Sequence, residues 1–147
     1  MRVGSLALLL ASALTIAVSA QAQLPMPVSQ GLAAVKAGDY NLAVDEWTKT
    51  WQEGEATDSS RLRLKSAFAT LGASAGKPQG WDLVHDVAIL PAVRRYYIIV
   101  SGARAPVYLV LEAYQRPEGT WTVEHIQFNA TLTALPPADI AEFLRGP

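Results

Sequence analysis

The chain has 147 residues, half of them apolar and 17% charged, with 12 basic side chains against 13 acidic ones and no cysteine. A net charge of −1 supplies no electrostatic footprint for nucleic acid or for an anionic membrane surface. Without cysteine there is neither disulfide nor thiolate nucleophile, so stability must come from core packing.

The first residues read as an export signal. Arg2 is followed by an uncharged, almost wholly apolar run from Val3 to Val18, and Ala20-Gln21-Ala22 fits the small-x-small pattern of signal peptidase. Cleavage is expected after Ala22, with Ala20 as second choice. An uncleaved anchor is the alternative, because the run approaches the shortest length that spans a bilayer. No cysteine follows it, which excludes a lipid-anchored lipoprotein. The division is therefore a signal peptide over 1–22 and one domain over 23–147, located in the periplasm or secreted. Cleavage removes Arg2 as the only charged residue of the leader, so the mature net charge is one lower, −2. No later apolar run reaches spanning length, so no membrane association is expected after cleavage.

The helical half is expected over 28–72. Gln23–Pro27 reads as an extended, Pro-broken leader. Ser29 caps a short helix, Gln30–Ala37, stopped by Gly38. Asp39 caps a second, Tyr40 to Glu53, in which Tyr40, Val44, Trp47 and Trp51 form one stripe and Gly54 ends the helix. The third runs from Ser59 to Leu71, with Thr57 or Asp58 as cap, Gly72 as stop, and Leu64, Ala67, Phe68 and Leu71 as its buried stripe. Arg61, Arg63 and Lys65 near its start read as solvated cations. Ala73–Gly80 reads as a flexible joint.

Four strands follow over 80–129: Trp81–Leu90, Val93–Ser101, Val107–Arg116 and Trp121–Asn129. In the first, Trp81, Leu83, Val87 and Ile89 share a face, and His85 lies in that apolar register. In the third, Tyr108, Val110, Glu112 and Tyr114 share a face, and the Glu112 carboxylate calls either for a wet face or for an arginine partner, Arg94, Arg95 or Arg116. In the fourth, Trp121 and Val123 have opposite parity to Ile126 and Phe128, and a β-bulge near Glu124-His125 would return all four to one face. Pro136-Pro137 then precedes a short amphipathic helix, 137–145, with Ile140, Phe143 and Leu144 available to dock. The whole is an α+β domain, N-terminal helices packed on a curved four-stranded antiparallel sheet.

Two stretches resemble known families. Gly38-Asp39-Tyr40-Asn41-Leu42-Ala43 with Trp47 resembles half of one tetratricopeptide or Sel-type repeat, but no second copy follows and stable arrays need at least three. Over Ser59 to Asn129 the chain resembles a group of small exported bacterial proteins of uncharacterised function. The matching motifs are Gly76-Lys77-Pro78-Gln79-Gly80-Trp81, Tyr114-Gln115-Arg116-Pro117-Glu118-Gly119-Thr120-Trp121 and Ile126-Gln127-Phe128, with Ile126 where an aromatic is common. The resemblance implies a cystatin-like, nuclear-transport-factor-2-like cone fold and carries no catalytic or binding residues.

Motifs for chemistry are sparse. No serine sits in a Gly-x-Ser-x-Gly elbow, and Gly72–Gly80 lacks the spacing and the Lys-Ser/Thr pair of a phosphate-binding loop. His85 and His125 are the only histidines, on separate strands, so no metal site and no cofactor is expected. The leading expectation is a non-catalytic accessory domain that binds a small ligand or a protein, with the sheet offering a route to a homodimer. Two alternatives stay open. One is a small-cavity enzyme or ligand carrier using His85, Glu112 and Tyr114, since enzymes of the cone fold set a carboxylate against tyrosine donors. The other is a partner-binding helical hairpin around Tyr40–Trp51. The candidate ligand-contacting residues are His85, Tyr97, Glu112, Tyr114 and His125.

Overall fold

A computed structural model of the chain describes residues 23–145. The expected signal peptide and its cleavage site lie outside the described residues. Helix α1 spans Met26–Ala37. It starts at Met26 rather than Gln30 because Pro27 falls in its first turn, where a missing N–H leaves no bond unmade. Gly38 ends it in the left-handed region at φ 84.

Helix α2, Tyr40–Thr48, starts as expected, with the Asp39 carboxylate accepting the Leu42 N–H at 2.9 Å. It stops at Thr48, well short of Glu53. The Thr48 hydroxyl donates back to the Val44 carbonyl at 2.7 Å, and the Arg61 guanidinium donates to the Thr48 carbonyl at 2.8 Å. Arg61 is thus a cap on α2 rather than a solvated cation, and Lys65 likewise reaches Asp45 at 2.6 Å.

Helix α3 is longer than expected at both ends, Glu55–Ala75. Glu55 and Asp58 complement the positive N-terminal dipole. Gly72 does not stop it. The Tyr40 ring lies so close to Gly72 that a Cβ there would overlap it, so this glycine serves packing inside the helix. Gly76, at φ 83, makes the stop instead. The expected joint Ala73–Gly80 is therefore largely helix end and strand start.

The strands are β1 Pro78–Leu90, β2 Val93–Gly102, β3 Pro106–Gln115 and β4 Trp121–Asn129, an antiparallel meander in the order β1-β2-β3-β4. A 3-10 turn, Leu132–Ala134, leads to helix α4, Pro137–Leu144. One sheet face packs on α1–α3: Tyr96, Ile98, Val100, Val107, Leu109, Leu111, Ala113 and Val123 meet Val28, Leu32, Val44, Trp47 and Phe68. Phe68 stacks among Tyr40, Trp47 and Phe128, with ring centroids 4.7 to 5.6 Å apart. The other face packs on α4 and the turn before it, where Tyr97 and Val110 meet Leu135 and Phe143.

Two irregularities decide which side chains reach which face. Residue Glu124 has no partner between Glu112↔His125 and Ala113↔Val123, which is the expected bulge, and Trp121, Val123, Ile126 and Phe128 all join the helix-side core. The second lies in β1, where the register passes from Leu83↔Ile98 to His85↔Tyr97. Trp81 and Leu83 face the helices, but Val84 and Val87 pack under α4. The single face expected for Trp81, Leu83, Val87 and Ile89 is thereby split. His85 moves to the α4 side, while Asp86 comes opposite Tyr96 and pairs with Arg94 at 2.8 Å.

Candidate functional site

With the β1 shift included, the strand register places His85, Tyr97, Glu112, Tyr114 and His125 on one face, the side covered by α4. His85 stands opposite Tyr97. Glu112 stands between Arg95 on β2 and His125 on β4.

Arginine 95 organises the middle of this face. Its Nη2 and Nε donate to Glu112 Oε2 at 2.7 and 3.1 Å, and its Nη1 lies 3.6 Å from Asp139 Oδ1. The Tyr97 hydroxyl donates to the same Asp139 oxygen at 3.0 Å. Asp139, in the first turn of α4, is only 5% exposed, so its carboxylate depends on these donors in place of water. The bond to Glu112, then that to Tyr97, raises the Arg95 pKa, keeping the guanidinium cationic. Burial raises the Tyr97 pKa and keeps its phenol a donor. Beside this polar set the Phe143 ring stands edge-on to both Tyr97 and Tyr108, 5.4 Å from each.

Of the five expected residues, Tyr97 and Glu112 are joined through Arg95 and Asp139. His85 shares the face, and its Nε2 is buried without a hydrogen-bond partner among the described residues. His125 is exposed at the far end of the Arg95–Glu112 row, and Tyr114 sits one step along β3 from Glu112. Arg95 was one of three arginines that the sequence offered to Glu112. The sequence carries no signal for the role of Asp139, since an acid in the first turn of a helix reads as a response to the dipole.

Neither of two surface clefts includes Glu112 or His85. The larger, about 520 Å³, lies where Gly38, Tyr40 and Gly72 meet Lys77, Pro78 and Arg104. The Arg104 guanidinium there donates to the Ser74 carbonyl at 3.0 Å and to that of Ala73, capping α3. The second, about 400 Å³, lies between the turn after α2 and the β4 edge, lined by Thr50, Trp51, Gln52, Thr57, Arg116 and Glu124.

Among the described residues no group of three histidine, aspartate or glutamate side chains could hold a metal ion, and no helix is long and apolar enough to cross a membrane. Comparisons with models of protein families, with curated proteins and with solved structures each find no match.

Proposed function

We propose that the chain is the precursor of an exported, non-catalytic domain that binds a small ligand or a protein, built on the cone-shaped cystatin-like, nuclear-transport-factor-2-like plan. Helices on one face of a bulged antiparallel meander support the plan. The Arg95–Glu112 fork is the observation that carries the reading. A general base must be free to take a proton within hydrogen-bond reach of its substrate. Glu112 instead accepts two bonds from a cation, and Tyr97 spends its hydroxyl on Asp139. These groups hold α4 to the sheet and present little chemistry to a substrate.

The hairpin reading has little support from its aromatics. Trp47 is fully buried, Tyr40 packs on Phe68, and the Trp51 indole donates to the Val123 carbonyl at 2.6 Å. Pairing of two copies through the sheet has little support either, because register shifts interrupt the β1 edge and Trp51 occupies part of the β4 edge.

A thermal-shift screen of the exported protein against small molecules, metals and candidate partners tests the binding reading. A ligand that binds the native state raises the melting temperature with its concentration and is recovered unchanged. Chemical conversion of a hit would replace this reading with the cavity enzyme, and a flat response to small molecules and metals would leave protein partners as its remaining form.

A further inference from the structure

The cleft at the β4 edge is framed by groups that are themselves held in place. The Trp51 indole is tied by its bond to Val123, the Thr50 and Thr122 hydroxyls bond each other, and the Arg116 Nη2 donates to the Thr50 carbonyl at 3.1 Å. The turn after α2 is thus clasped to β4 at the bulge. The bulge adds Glu124, the residue left out of the ladder, to the lining. Bulges are over-represented beside functional sites, where they re-aim a side chain.

What this frame presents is unusual in its charges. Arg116 and Glu124 line the same cleft, yet among the described residues neither forms an ion pair with the other or with any other side chain. Arg116 is partly buried and Glu124 exposed. The side chains of Gln52 and Thr57, which line the same cleft, form no side-chain hydrogen bond among the described residues. A cation and an anion that line one cleft without pairing, together with an amide, a hydroxyl and an indole, are complementary to one ligand chemistry. That ligand carries both charges and is small enough for about 400 Å³, the low end of small-molecule sites.

We infer that the cleft between the turn after α2 and the β4 bulge is a binding site for a compact zwitterion, a free amino acid or dipeptide. The proposal rests on the binding-domain reading and names its ligand class. Arg116 takes the carboxylate through its remaining N–H groups, a charge-assisted bond with planar geometry. Glu124 takes the ammonium, which also lies against the Trp51 indole, a favourable face for a cation. Gln52 and Thr57 are placed to meet amide or side-chain polar groups.

The test is a titration of the isotope-labelled exported protein by nuclear magnetic resonance, followed through the Trp51 indole N–H and the backbone signals of Thr50, Thr57, Arg116 and Glu124. The probes are glycine, leucine, lysine and alanyl-alanine, beside N-acetyl-leucine, leucinamide and glucose. The free amino acids or the dipeptide are expected to shift these signals. Loss of one charge, by N-acetylation or by amidation, is expected to weaken binding about tenfold, the size of one charge-assisted hydrogen bond. Arg116→Gln and Glu124→Gln should do the same, with Glu124 exposed enough that its variant keeps the wild-type melting temperature. Equal binding of capped and free forms, binding of glucose alone, or no shift at millimolar probe overturns the proposal. A screening hit that maps elsewhere on the molecule overturns the cleft assignment alone and leaves the binding-domain reading standing. Turnover of a hit overturns the binding-domain reading.

Discussion

Single side chains in this protein often do a job that their residue type conceals. Gly72 reads as a helix stop, yet its work is to admit the Tyr40 ring against α3. Gly72→Ala should destabilise the protein by about 1–3 kcal/mol through overpacking, whereas Gly80→Ala, with nothing within 4 Å of its added methyl, should change it by about 0.5 kcal/mol or less. Chemical denaturation of the two variants checks both. Tyr96 supplies a pH dependence. Burial first, and the nearby Asp86 carboxylate second, push its pKa from 10.0 to about 12. The folded protein keeps this proton between pH 10 and 12, where the unfolded chain releases it. The associated stability is therefore complete below pH 10 and is lost as pH rises through 12. Denaturation midpoints should fall across that window, and Tyr96→Phe should flatten the decline. His85 was legible as the polar intruder of its strand, but its face was not. The adjacent apolar pair Leu83-Val84 is the signal that alternation had shifted, much as the parity change in β4 announced its bulge.

Among the elements, α4 carries the most consequence for its length. It is a two-turn helix, held by Phe143 between two tyrosine rings and by Asp139 between Tyr97 and Arg95. Phe143→Ala should cost about 3 kcal/mol, near the low end for a buried phenylalanine. Tyr97→Phe leaves a buried carboxylate short of a donor and should cost about 1–2 kcal/mol. Both variants should also speed proteolysis after Leu132 more than within β2, a readout that general destabilisation would not produce. The sequence marked this helix as amphipathic and able to dock. It could not say on which side of the sheet, because Ile140 and Phe143 would suit either apolar face. The ends of α2 and α3 differ from the sequence pattern for a related reason. Glycines mark the expected helix stops, but the end of α2 is set by an arginine from the next helix, and the end of α3 by which of two glycines is packed.

On the scale of the molecule, the sheet separates two cores, one under three helices and one under a single short helix. The first edge strand is interrupted by three register shifts and the last by its bulge and the Trp51 clasp. Such devices blunt an edge against pairing with another chain. Sedimentation equilibrium should accordingly find the domain monomeric at micromolar concentration. If the proposed export holds, the intact mass should correspond to a chain beginning at Gln23, the product of cleavage after Ala22; a mass retaining residues 1–22 would favour the anchor instead.

The order of elements, the four strands and the bulge at Glu124 were determined by the sequence alone, because alternation, turn residues and caps act over a few neighbouring positions. The tertiary structure decided which arginine meets Glu112, that Asp139 closes the set, and that Arg116 and Glu124 face one cleft without touching. Those relations join residues far apart in the chain, and their distances are set by how helices and sheet pack rather than by any local pattern.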